Sequence, residues 1–365
     1  MAAADHHDLS SVQAGRNTRW VSKDLGCRAP RLSRYNDWFL ASAYHRLHLF
    51  SLDLSSAGKE RAGGMGISVP TLPVVVSARI RPRGARSDIL PFGWTEELDS
   101  LMSCIRHKAN RDEPMEVSIR TPIYRHMGLG SSTQVLGTSA AAIASAYELG
   151  ATATDLAEYN ILDVGSCVGL DLLVSPGLLI DLGFDVRQGV SRDGWTPHTR
   201  LPGHIRRPRG IALCAANLPP WTVILVVPPG HGLTGIAERD FWDGILPTEY
   251  EVTTQLSHIA LLDIVPAVQT HDFEAFISAL ELIASLPSKS SEVSIQGADT
   301  QLALKTVRDR YGFAGLSSMG PCVYTFRTTP ITGEDRVNLK AAMPEGCLIT
   351  WFRMDELRDR VSTTE

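Results

Sequence analysis

The stretch Pro122 to Gly150, P-I-Y-R-H-M-G-L-G-S-S-T-Q-V-L-G-T-S-A-A-A-I-A-S-A-Y-E-L-G, constrains the fold more than any other part of the chain. Gly128, Gly130, Ser131 and Ser132 form a small-residue turn that runs without a breaker into an Ala-rich segment, which predicts a helix over 133–149 ended by Gly150. The first amides of such a helix have no intrahelical partner and carry partial positive charge, so the turn is a place to bind phosphate. Glycine lets a ligand approach the backbone, and Ser131, Ser132 and Thr133 add hydroxyl donors. The residues just before, Val117 to Thr121, alternate as a strand does. A glycine-capped turn into an ordinary buried helix fits the same letters; the rest of the chain has to separate the two.

A chain of 365 residues, 44% hydrophobic and 21% charged, has the composition of a globular protein long enough for two domains. Its net charge of -5 gives no general attraction to nucleic acid or to an acidic membrane, so an anionic ligand must be held by local features. No apolar run reaches membrane-span length, and the first residues carry no basic-then-apolar leader, so the expected location is the cytoplasm. The six cysteines make no C-x-x-C pair, which argues against a zinc site or a disulfide framework.

Residues 1–38 are polar and aperiodic and are expected to form a flexible arm, with His6 and His7 in a solvated tail. Tyr44 to Leu54 alternates imperfectly as a half-buried strand, and Gly63-Gly64-x-Gly66 reads as a turn into a second short strand. A helix is expected over 95–107, and another over 155–162 with Thr154 as its cap. Asp171 and Asp181 fall in a Gly-rich stretch read as loop and short strand, where an Asp most often caps a turn. Residues 186–215 are basic and Pro-rich, as a connector is. After them W-T-V-I-L-V-V-P reads as a buried strand opening a second unit near 216. Helices are predicted over 249–263, 271–286, 297–311 and 333–343, with Gly312 ending the third, and strands over 322–327 and 347–352. The division is therefore an arm (1–38), a first domain (39–215), a second (216–355) and a tail (356–365).

Four ordered motifs resemble the GHMP small-molecule kinase superfamily, in a non-kinase form. Gly128-Leu129-Gly130-Ser131-Ser132 resembles its phosphate loop, but Tyr124 stands where the kinases commonly have Pro, and Thr133-Gln134 where they have Ala-Ala. His126 with that loop is similar instead to the β-ribofuranosylaminobenzene 5'-phosphate synthases and the related pyrazole C-nucleoside synthases. So are the R-x-H-x(4)-D and R-x-G-G blocks (Arg46, His48, Asp53; Arg61, Gly63, Gly64), the G-L-x-G-x-x-E core (Gly232, Leu233, Thr234, Gly235, Glu238) and Gly315 to Pro321 with Ser317, Ser318 and Gly320. Taken singly these are edge charges or turns, with Thr234 a plain N-cap; together, in order over residues 44–352, they make a site the better reading.

The resemblance implies an α+β, two-domain GHMP-type fold, an N-terminal α/β domain with a ferredoxin-like C-terminal one. It implies a homodimer that joins 5-phosphoribosyl 1-diphosphate to an aromatic carboxylic acid, with Mg2+ as cofactor. Gly128 to Gln134 and Ser317 to Gly320 are then the phosphate candidates, Arg46, Arg61 and Arg125 the carboxylate-orienting ones, and Asp53, with Asp171 or Asp181, the metal ligands. Arg46, His48, Asp171 and Asp181 are the catalytic candidates. An ATP-dependent GHMP kinase, favoured by Gly128 to Ser132 and Asp171, and a non-catalytic binder on the same fold remain as alternatives.

Overall fold

The computed structural model describes residues 19–22, 30–55, 60–122, 125–152, 155, 156, 159, 168–185, 212–216, 218–233 and 235–357. Two antiparallel sheets organise them. The first holds β1 (Arg19–Ser22), β2 (Arg31–Tyr35), β3 (Trp38–Asp53), β4 (Glu60–Ile80), β5 (Met115–Arg120), β6 (Leu178–Asp181), β7 (Phe184–Asp185) and β8 (Ala212–Ala216). Its order is β1-β8-β6-β4-β3-β2, with β5 and β7 also on β4. The second runs β10-β11-β9-β12, from β9 (Thr222–Val227), β10 (Gly315–Leu316), β11 (Val323–Arg327) and β12 (Leu348–Arg353).

Ten α-helical segments lie among the described residues. They are α1 (Thr95–Ala109), α2 (Ser131–Ala146), α3 (Val168–Val174), α4 (Gly235–Ile245), α5 (Tyr250–His258), α6 (Val265–Thr270), α7 (Phe273–Ser285), α8 (Pro287–Ser294), α9 (Ala298–Tyr311) and α10 (Gly333–Ala341). The α+β class expected from the sequence is the one observed. Helix α2 is apolar nearly all round because it is covered nearly all round, by the first sheet, α1 and α3. All six residues of β9 are buried, as the unbroken apolar run predicts for a strand paired on both edges. The largest apolar cluster crosses between the sheets: Leu47, Met65 and Ile180 of the first pack with Leu225, Tyr324 and Phe352 of the second.

Several expectations are corrected. Within the supposed arm, residues 19–22 pair with β8 and residues 31–35 pair with β3. Gly63 and Gly64 do not turn the chain; they lie inside the long strand β4, where Gly64 pairs with Ser51 on one side and Asp181 on the other. A Cβ on Gly64 would stand 2.6 Å from the Phe50 carbonyl and 3.1 Å from His48 Nε2, so close approach, not bending, requires glycine there. Asp171 sits in α3, all of whose residues are buried, which leaves no amphipathic period to reveal a helix. Thr152 exchanges hydrogen bonds with Asp155, and Thr154, the expected cap, is outside the described residues. The predicted helix over 249–263 continues through a π-helical stretch, Ile259–Ile264, into α6, and α8 was not anticipated. Leu357, assigned to the tail, packs in the core. His6, His7, most of 155–162 and residues 186–211 lie outside the described residues. The four described cysteines are free thiols.

His45 on β3 is buried and shares a 2.8 Å hydrogen bond with the Thr121 hydroxyl. Burial pushes its pKa down to about 4 from 6.5. The unfolded chain therefore takes up a proton that the folded chain refuses, and stability is lost as pH falls from 6.5 to 4. The loss expected from this side chain is about 3 kcal/mol. Urea midpoints measured across that window should fall, and should fall less in His45→Gln, whose amide keeps the Thr121 contact.

Candidate active site

Three loops meet backbone to backbone. The first, 125–130, needs left-handed geometry at Gly128 (φ 80°) and at Gly130 (φ 62°), the N-cap of α2. A Cβ on Gly128 would lie 2.5 Å from the Ser317 carbonyl, and one on Gly320 would overlap the Gly128 backbone nitrogen. Gly232, from the loop before α4, donates its N–H to the His126 carbonyl at 2.9 Å, and a Cβ there would run into Met319 O. Ser317 ties the arrangement. Its buried hydroxyl donates to Gly128 O at 2.6 Å and accepts from the His48 N–H at 3.0 Å. Ser317→Ala strands that carbonyl and that amide, at a cost of about 3 kcal/mol, read as a lowered urea midpoint.

Arg46 lies along the start of α2. A Cβ on Gly130 would be 2.7 Å from its Cγ and 2.9 Å from its Nε, while its backbone N–H donates to Leu129 O at 3.1 Å. Its Nε and Nη1 are buried with no hydrogen-bond partner. Burial lowers its pKa to about 10, with the nearby Glu238 carboxylate opposing that fall, so the guanidinium remains charged at neutral pH. Burial pushes the Glu238 carboxyl up, against a hydrogen bond from Trp242 and the charge of Arg46.

His48 sits where β3 bulges: His48 pairs with Gly66 and Phe50 with Met65, leaving Leu49 as the extra residue. Its ring is buried, its Nδ1 has no partner, and burial followed by the charges of Arg46 and Lys289 holds it neutral. Lys289 and Glu292 of α8, a buried ion pair 2.7 Å apart, escaped the sequence reading because S-K-S-S-E looks like a solvated helix face. Gln296, just after α8, accordingly reaches both Glu292 O and Met319 O.

The other candidates divide. Arg125, beside the first loop, stacks 3.5 Å over Trp94 and bonds Glu97 at 2.6 Å, with Nε and Nη2 buried and unpartnered. His126 is held below its usual pKa by burial, Arg125 and His231. Ser132 and Ser318 remain half-buried beside the loops, whereas Ser131 Oγ is used by the His126 N–H. Thr133 and Gln134 are buried against α3, where Gln134 donates to Gly169 O at 2.6 Å, so they serve packing between α2 and α3. Leu129 and Leu233 are apolar packing residues.

Asp53 fastens a turn, accepting from Ser55 N–H and hydroxyl at 2.8 Å and from the Thr253 hydroxyl at 3.2 Å. Asp181 is buried at the end of β6 and accepts from Gly183 N–H at 2.9 Å. Asp171 is buried in α3. The described residues contain no group of three or more His, Cys, Asp or Glu able to hold a metal, and Asp53 and Asp181 each accept from nearby donors. Thr234 and the Arg61 side chain are outside the described residues.

The GHMP kinases N terminal domain matches residues 98–173, which include the first loop, α2 and most of α3. The fold is that of a solved Streptococcus pneumoniae phosphomevalonate kinase, with a TM-score of 0.61 at 13% identity over 87% of this chain and all of that one. Residues 98–173 are thus a GHMP kinases N terminal domain in sequence, within a chain that has the fold of a GHMP-type enzyme. Over most of its length the chain is similar to proteins named beta-ribofuranosylphenol 5'-phosphate synthase. That of Archaeoglobus fulgidus is 28% identical over 80% of this chain and 88% of its own length. That of Methanocaldococcus jannaschii is 23% identical over 77% and 87%. No helix among the described residues is long and apolar enough to cross a membrane.

Proposed function

We propose that the protein is a phosphoribosyl-transferring C-glycosyltransferase, joining 5-phosphoribosyl 1-diphosphate to a ring carbon of an aromatic or heteroaromatic carboxylic acid. The observation that carries this reading is Arg46 laid on the α2 N-terminus with two buried, unpartnered nitrogens. A charged donor left unpaired at the positive end of a helix is costly unless an anion completes it. The names of the similar proteins supply the chemistry, a ribosyl phosphate joined to a phenol.

The bond from the anomeric carbon to the diphosphate oxygen breaks, and the diphosphate leaves with its electron pair toward Arg46 and the α2 amides. The ring carbon bearing the carboxylate attacks the anomeric carbon. The ring-to-carboxylate bond then breaks, carbon dioxide departs, and its electron pair restores aromaticity. No ring proton has to be removed, which suits the neutral, buried His48. Arg125, with two unpartnered donors, is the group we assign to the acceptor's carboxylate. Mg2+, the ordinary counterion of a diphosphate, is supplied in the assays.

The test is diphosphate release from the donor across hydroxybenzoic, aminobenzoic and pyrazole carboxylic acids. Release that requires one of these acids, matched mole for mole by carbon dioxide, is the expected result. No release with any of them, or ATP-dependent phosphorylation of an alcohol, would overturn it.

A further inference from the structure

A separate cavity of 480 Å3 opens between α7, α8 and α9, away from the α2 N-terminus. Its walls are apolar, with Leu280, Ile283, Leu304 and Leu316 among them. Its lining includes Lys289 and Tyr324, both buried. Exposed residues of α9, Lys305, Arg308 and Asp309, complete it on the solvent side.

The charges are placed unevenly. Lys289 is neutralised by Glu292 at 2.7 Å, and Lys305 by Asp309. Arg308 has no carboxylate partner among the described residues. The lining therefore combines an apolar interior with an uncompensated cation at the solvent edge. The volume is that of a site for a small organic molecule. Burying a neutral apolar body in the interior is favourable, and a single anionic group left at the edge would meet Arg308 without being desolvated.

We infer that this cavity is a second ligand site, for a small monoanion with an apolar aryl or acyl body whose carboxylate lies at Arg308. The occupant would touch Gly315 and Leu316, which lead directly into Ser317, so it would rest against the back of the third loop. This site is independent of the transfer reaction and stands whether or not that reaction is found.

The probe is 8-anilinonaphthalene-1-sulfonate, titrated by fluorescence into the full-length protein. One equivalent is expected to bind, displaced by octanoate or benzoate and not by octylamine, which has the same kind of body with the opposite charge. Arg308→Glu, an exposed change that leaves the fold intact, should weaken the probe at least fivefold, and Ala284→Trp should fill the cavity and weaken it more. Unchanged affinity in both variants would refute the site, and equal displacement by octylamine would refute its preference for anions. Displacement of the probe by saturating 5-phosphoribosyl 1-diphosphate would place it at the loops and equally overturn the inference.

Discussion

Arg46→Met is expected to lower kcat/KM for a diphosphate-bearing donor by about 10²- to 10⁴-fold while leaving the melting temperature of the free protein unchanged or higher. Two charge-assisted hydrogen bonds to the ligand are lost, each worth about 1.5–3 kcal/mol. In the free protein those same nitrogens are buried without partners, so removing them relieves a desolvation cost, and Met fills the stem's volume against Gly130. Glu238 loses its cation, so its carboxyl shifts further upward. Steady-state kinetics and a thermal melt on the same preparation decide the matter. A variant that loses stability and activity together would make Arg46 a packing residue only.

Gly320→Ala should have the largest effect on the architecture. The added methyl would overlap the Gly128 backbone nitrogen and press on the Met127 carbonyl carbon at 2.5 Å, all main-chain atoms that cannot rotate away. Overpacking of this kind costs about 3 kcal/mol. Parting the loops would also release the Ser317 clamp, so ligand binding should disappear even below the melting transition. Gly297→Ala is the control, since a Cβ there meets nothing within 4 Å. Equal urea midpoints for the two variants would mean that the loops tolerate separation.

Much of this was legible in the sequence, and the reasons are particular. Small-residue loops declare themselves by composition, so the meeting of Gly128 with Gly320 follows from motifs whose letters can be read. Strand β9 and helix α2 were legible because unbroken burial leaves unbroken apolar runs. Gly63 and Gly64 misled because glycine marks turns more often than it marks a close crossing of strands. The Leu49 bulge that sets His48 was visible only as imperfect alternation. Lys289 and Glu292 carried no signal at all, because their burial is conferred by neighbours distant in the chain. The local bonds of two aspartates were hidden for a related reason: spacing says nothing about which donors a carboxylate will find, and Asp53 and Asp181 found theirs within two residues.

The hydrogen bond from Ser317 to Gly128 joins positions 189 residues apart. A ribosome must release nearly the whole polypeptide before that contact can close, and a nascent or truncated product lacking the last fifty residues would have α2 without its clamp. Competence for anion capture is thus expected to appear late and all at once during folding, long after the separate helices have formed.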